Sequence, residues 1–351
     1  MLRKIAVFLI PLAACLFPLT AQACDVPVFR YALERWPAER YLLTAYGPDS
    51  LSPQQKQALA FCRSLSSRPD NPANLDLVVS GAPPGEAPSF QLTCPSVAGR
   101  PVDIWSGGIT GQNAGRIADS PARQEIAARL VDGQSAVWVL LESGDRGRDE
   151  AAGRLLESEL ADLERSLSLP EAVTGGSGWD LPQLRVDFSL VRVSRTDSAE
   201  EVLVRMLCRS EPDLGDYSAW PMAFPVFGRG RVLYALVGAG ITKENIRRAC
   251  AFLVGPCACE IKDLSPGMDL LIAADWERAV QASWVDRVDP SGLASLAGMA
   301  GELSAGREYP AARERRLSGP LIGALAAIAV ALSVVGAFTF RIIRSSGRRE
   351  K

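Results

Sequence analysis

Short apolar runs alternate with amphipathic segments along the first half of the chain, and the period switches between them. Residues 28–36 carry apolar side chains at helical spacing just after Pro27, which predicts a short helix. Residues 41–46 alternate as a strand and close on Gly47-Pro48. Ser52-Pro53-Gln54-Gln55 then opens a helix, with Ser52 as N-cap, Pro53 in the first turn and Gln55 completing a capping box. Strands are expected at 75–79, at 102–105 and at the strongly apolar 136–141, with a short edge strand at 90–93. Helices are expected after Ser120-Pro121 and over 149–168. Strands separated by helices imply an α/β domain with a mainly parallel sheet covered on both faces.

Several of these strands end in a Ser-Gly pair: Ser80-Gly81, Ser106-Gly107 and Ser143-Gly144. In parallel sheets, ligands bind beyond the carboxyl ends of the strands. The longest such stretch runs Ser106-Gly107-Gly108-Ile109-Thr110-Gly111. Its amides, ahead of a helix start, make Ser106, Gly107, Gly108 and Thr110 candidates for holding an anion. The plainer alternative is that glycine only provides a tight strand exit.

Thr174-Gly175-Gly176-Ser177-Gly178 marks a linker, placed at 174–182, so the α/β domain is expected to occupy 24–173. Beyond it the pattern predicts a strand at 187–193, a helix from Ser198 to Cys208 opened by a Ser198–Glu201 capping box, and a hairpin turning at Gly228-Arg229-Gly230. A helix capped by Thr242 and strands near 259–262 and 270–274 follow. This order, βαββαβ over 183–284, fits a ferredoxin-like or a thioredoxin-like unit, and periodicity does not separate them. Residues 285–316 are rich in Gly, Ala, Ser and Arg and read as a stalk.

The two ends change the picture. A basic start, an apolar run and Ala21-Gln22-Ala23 form a signal peptide over 1–23, with Cys24 first in the mature chain. Leu12-Ala13-Ala14-Cys15 offers lipidation at Cys15 as an alternative. Residues 321–340 carry no charge and lie between arginine-bearing flanks, which predicts a single transmembrane helix within 317–342 and a basic cytoplasmic tail over 343–351. The expectation is a single-pass cell-membrane protein with its bulk outside the cytoplasm.

Composition excludes much chemistry. The net charge is −2 and no basic face argues for nucleic acid. The chain has no histidine at all, which removes Ser-His-Asp and Cys-His nucleophiles and His-ligated zinc. Acid–base work would fall to carboxylates, Lys, Tyr or Cys. This argues against a conventional enzyme, and no cofactor is implied. Eight cysteines are present, and seven remain when Cys15 leaves with the signal.

Cys257-Ala258-Cys259 is the sharpest motif. Two thiols this close can exchange disulfides or bind a soft metal such as Cu(I). Alternatively, Cys208, Cys250, Cys257 and Cys259 form ordinary disulfides. Cys24 precedes a helix, which lowers a thiol's pKa and makes it a third redox candidate; it could instead pair with Cys62 or Cys94. The thioredoxin-type Cys-x-x-Cys is absent. Arg229 and Arg231 could grip a phosphate or carboxylate, or simply be solvated at a hairpin turn. Glu142 and Asp145 are the carboxylates to test as a catalytic pair, with helix capping as their plainer role. Gly238-Ala239-Gly240 lacks the third glycine of a dinucleotide site and reads as a turn.

The stretch Cys24-Asp25-Val26-Pro27-Val28-Phe29-Arg30-Tyr31-Ala32-Leu33-Glu34-Arg35-Trp36 resembles the opening of a family of uncharacterised exported, membrane-anchored bacterial proteins. Residues 136–144, 228–231 and 255–259 are similar to that family too. The resemblance implies a shared architecture and no activity. Together these features lead to an expectation of a membrane-tethered module that binds a ligand or an envelope protein partner, with a thiol-based redox or metal-binding module as the alternative.

Overall fold

The computed structural model describes residues 24–47, 51–68, 72–81, 87–97, 100–170, 184–257, 267–277 and 280. The expected signal peptide, linker, strand at 259–262, stalk, transmembrane helix and tail all lie outside them. Among the described residues no helix is long and apolar enough to cross a membrane.

In chain order the elements are β1 (Cys24–Pro27), α1 (Val28–Arg35), β2 (Tyr41–Tyr46), α2 (Pro53–Ser64), β3 (Leu75–Ser80), β4 (Ser89–Val97), β5 (Arg100–Gly108), α3 (Gly111–Ala118), α4 (Pro121–Val131), β6 (Ala136–Glu142) and α5 (Arg146–Ser166). There follow β7 (Phe188–Ser194), α6 (Glu201–Cys208), β8 (Met222–Phe227), β9 (Arg231–Val232), β10 (Leu236–Val237), α7 (Lys243–Val254) and β11 (Pro256–Cys257). The protein is of the mixed α/β class.

The first sheet has the order β3-β2-β4-β5. Only β2 and β3 run parallel, with α2 as their crossover; β4 returns antiparallel to β2, and β5 antiparallel to β4. The expectation of a mainly parallel sheet is thereby corrected. A parallel connection needs a dozen or more residues, and the segment between Ser80 and Ser89 is too short for a helical crossover. The expected edge strand at 90–93 is an interior strand whose Phe90, Leu92 and Cys94 are fully buried at period two. The helix opening at Ser52 forms as expected: Ser52 accepts from the Gln55 amide, and Gln55 reaches back to the Ser52 amide at 2.9 Å.

The second sheet has the order β10-β8-β6-β7, with β9 also on β8. Strand β6, expected in the first domain, lies at its centre. It runs parallel to β7, joined through α5, and antiparallel to β8. Residues on either side of the linker therefore build one sheet. Residues 136–141 are wholly inaccessible to solvent, and the two faces of β6 feed different cores. Val137, Val139 and Leu141 join the core containing the first sheet, α4 and α6. Ala136, Trp138 and Leu140 join that of α1, α5 and α7. That double burial explains why the sequence is apolar without alternation.

The β8–β9 turn forms as expected, with Gly228 and Gly230 at φ 57° and 87°. Helix α1 lies directly on it: a Cβ at Gly228 would sit 2.8 Å from the Ala32 Cβ. The Ser198–Glu201 capping box does not form; the Asp197 carboxylate takes the Ala199 amide, and α6 begins after Glu200 without a side-chain cap. Instead Glu200 reaches across to α4, accepting from Ser120 Oγ at 2.5 Å and the Ala122 amide at 2.7 Å. A carboxylate at that helix N-terminus satisfies orphan amides and complements the dipole.

Residues 267–276 are almost wholly buried, making single bridges to Ala73 and Arg231 rather than the strand expected at 270–274. Polar side chains hold this strap. Asn74 donates to the Leu270 carbonyl and accepts the Ile272 amide. Arg123, with no solvent exposure, donates to the Leu271 and Ile117 carbonyls, and burial lowers its guanidinium to about 10. The Tyr41 hydroxyl donates to the Asp269 carbonyl, and the Asp269 carboxylate accepts the Glu39 amide at 2.8 Å and pairs with Arg231 at 2.9 Å.

Candidate functional site

The registers fix one edge of the second sheet. Leu141 of β6 lies opposite Met222, and Met222 lies opposite Val237. Beyond that line come Ser143 and the start of α5, Trp220-Pro221 before β8, Gly238 after β10, and Arg195 after β7. This is the carboxyl edge of the parallel pair β6–β7, where α/β sheets bind ligands.

Trp220 is the centre of this edge. It is 43% exposed. The Arg148 guanidinium lies over one ring face, 4.3 Å from the centroid, in cation–π geometry. Arg148 also donates to the Ala219 carbonyl at 3.0 Å and pairs with Asp145 at 3.3 Å. Gly238 approaches the indole closely: a Cβ there would lie 3.0 Å from Cε3. The Gly238 amide donates to the Pro221 carbonyl, and Arg195 donates to the Trp220 carbonyl.

The indole walls two adjoining cavities. One, of about 460 Å³, is lined by Glu211, Asp213, Tyr217, Trp220, Val237 and Gly238, among others. The other, of about 220 Å³, is lined by Arg148, Ala152, Leu155, Trp220, Pro221 and Ile241, among others. The larger is within the range of small-ligand sites, roughly 300–1,000 Å³. Glu211 is its titrating group. Burial pushes its carboxyl above the ordinary value, opposed by the Ala235 amide donating at 2.6 Å and reinforced by Asp213. Two carboxylates beside two aromatic rings make a wall that attracts a cation and rejects an anion.

The chain matches no protein-family model, no curated protein and no solved structure.

The candidates drawn from the sequence lie elsewhere or have structural partners. Ser106, Gly107 and Gly108 do not form an exit loop; they are paired residues of β5, opposite Gln91, Phe90 and Ser89. Thr110 caps α3 through the Asn113 amide. Arg229 is not solvated: it donates to the Leu33 carbonyl at 2.8 Å, at the end of α1, and pairs with Glu277. Arg231 is buried against Asp269. Glu142 pairs with Arg192 at 2.8 Å, and Asp145 caps α5 through the Gly147 and Arg148 amides. Asp145 thus takes the plainer capping role, whereas Glu142 caps nothing and is held in an ion pair with β7.

The thiols separate likewise. Cys62 and Cys250 are buried free cysteines, and burial pushes each thiol up to about 12. Cys208 is also free and accepts a hydrogen bond from Arg195. The bridges expected to use these three are not formed. Cys94 is buried at the Tyr41 hydroxyl. Cys24 and Cys257 belong to the backbone ladder of β1 and β11, and Cys259 lies outside the described residues. Among the described residues no group of three or more acidic or Cys side chains is placed to hold a metal.

Sequence reasoning passed over Glu211, Asp213, Tyr217 and Trp220. The signal available was the run Glu-Pro-Asp-Leu-Gly-Asp-Tyr-Ser-Ala-Trp at 211–220, which mixes carboxylates and aromatics with turn residues just ahead of a fully apolar strand.

Proposed function

We propose that the chain is a membrane-tethered extracytoplasmic binding module. In this reading its second sheet is a thioredoxin-like unit beginning at β6, and the crevice at Trp220 receives a cationic, partly apolar group of a ligand or envelope partner. The tether and the location rest on the sequence: the signal at 1–23 and the charge-free run at 321–340. The thioredoxin-like assignment is supported by the element order βαβαββα and by the strand order β10-β8-β6-β7, with β8 antiparallel to β6. A ferredoxin-like unit would not place the first strand between the second and third.

The observation that carries the binding function is the crevice itself, with an exposed indole held in place and carboxylates on one side of it. In a redox protein of this plan, a dithiol at the α5 N-terminus would have its pKa lowered by the helix. Here that turn reads Ser143-Gly144-Asp145-Arg146, and Asp149 occupies its amides, accepting from Ser143 and Gly144 at 2.8 and 2.9 Å. The scaffold is thus kept for recognition.

Titration of the purified ectodomain with short Lys- or Arg-containing peptides, read by tryptophan emission, tests the reading. Binding is expected, is weakened roughly tenfold or more by Glu211→Gln, and is lost in Trp220→Ala. Equal response to acidic peptides, or binding indifferent to both substitutions, refutes it.

A further inference from the structure

The amino-terminal strand and the strand after α7 form a ladder apart from both main sheets, and its register sets Cys24 opposite Cys257. We propose that Cys24 and Cys257 form a disulfide that fastens the start of the mature chain to the carboxyl end of α7. Residues directly opposed in an antiparallel pair have Cα atoms about 4.5–5.5 Å apart. Disulfides span Cα separations of about 4.4–6.8 Å.

The ladder needs such a fastening. Strand β11 is only Pro256–Cys257, and Pro27 lies opposite Pro256, so neither residue at that step has an amide hydrogen to give. The register also shifts between Cys24 and Pro27, leaving Asp25 and Val26 as a bulge. Beside it the Val28 amide donates to the Gly255 carbonyl at 3.1 Å, where α7 ends. Helices α1 and α7 share one core, so the two cysteines stand at the ends of elements already held together. Of the competing partners, Cys62, Cys94 and Cys250 are buried within other packing, and Cys208 accepts a hydrogen bond from Arg195.

The step is a thiol–disulfide exchange. A thiolate of one cysteine attacks the disulfide of an oxidised exchange protein, or of a small-molecule disulfide, and releases one of its thiols. The second cysteine then attacks the mixed disulfide, forming the Cys24–Cys257 bond and releasing the donor's other sulfur as a thiol. Two protein thiols are oxidised, and one donor disulfide is reduced to two thiols.

This proposal stands independently of ligand binding. Its test is non-reducing peptide mapping of the full chain, exported with its own leader and alkylated before lysis. A peptide joining Cys24 to Cys257, lost on reduction, is the expected result. Alkylation of both residues before reduction, lipidation or removal of Cys24, or a Cys257–Cys259 link overturns it. Thermal unfolding gives a second measure. Cys24→Ser, Cys257→Ser and the double variant should show one common drop in melting temperature, and reductant should bring the unmodified protein to the same value. Additive drops, or no effect of reductant, refute the bond.

Discussion

Gly238→Ala tests whether the indole is held where the crevice needs it. Gly238 has φ 49°, a left-handed conformation that costs an L-residue about 1–2 kcal/mol. The new Cβ would also lie 3.0 Å from Cε3 and 3.2 Å from Cδ2 of Trp220, so the ring must shift by a few tenths of an ångström. Trp220 is itself 43% exposed and its neighbour Arg148 has an exposed side chain, so the ring can give way and this adds less than about 1 kcal/mol. Gly240 is the control. It lies in the same turn, with no atom within 4 Å of a built Cβ. Both substitutions stiffen the unfolded chain equally, by about 0.4–1 kcal/mol, so their difference isolates the native-state cost. Gly238→Ala should therefore be less stable than Gly240→Ala by about 1–3 kcal/mol, or roughly 3–10 °C in melting temperature for a domain of this size. Urea and thermal unfolding measure this. A near-ultraviolet difference spectrum against Trp220→Phe, needed because the chain has seven tryptophans, shows whether the ring has moved. Equal stabilities within about 0.5 kcal/mol, or an unmoved ring, refute the reasoning.

Asp269→Asn leaves the Arg231 guanidinium buried without its counter-charge, and breaking one side of such a pair costs about 3–5 kcal/mol; the double variant Arg231→Met with Asp269→Leu should recover most of that loss in urea unfolding. The pH dependence of Glu211 has a definite sign. Its folded-state pKa is raised, so between the unfolded and folded values the native protein binds more protons, and its contribution to stability falls as pH rises through that window. A bound cation reverses the balance, so affinity for a basic peptide should rise with pH just above the ordinary carboxylate range and then level off. Glu211→Gln should remove both slopes, and calorimetry across that range decides the point.

Local elements were well marked in the sequence, whereas their partners were not. The Ser52–Gln55 box and the Thr242 cap act within a few residues, so the chain alone reveals them. Strand β6 was plain as an apolar run, yet its place between β7 and β8 depends on contacts across the linker. Strand β4 reads short in the sequence because Pro95 interrupts the period-two pattern of Phe90, Leu92 and Cys94. Helix α3 has little signal in the sequence because Gly111 and Gly115 suggest loop; it is held by the Thr110 cap and by Ala114 and Ile117 packed into the core. Glu200 carries no local signal and Arg229 reads as a turn residue, while their partners lie at Ser120 and Leu33. Long charged side chains reach distant backbone, and periodicity carries no record of that. The crevice was hidden for a related reason: its residues come from connections meeting at one sheet edge, where no hydrophobic pattern runs.

The strap at 267–276 has a consequence for the order in which the molecule can be made. It fills the space against Tyr41, Asn74 and Arg123, residues synthesised 228, 196 and 148 positions earlier than their partners in it. Until that stretch has left the ribosome, the first sheet faces an unfilled trough and the Tyr41 hydroxyl lacks its acceptor. The amino-terminal half therefore cannot mature ahead of the rest as vectorial synthesis would otherwise allow. Folding must close late, through contacts of very long sequence separation. A chain stopped at 266 should give no smaller native protein, only an open precursor that depends on holding factors to stay soluble.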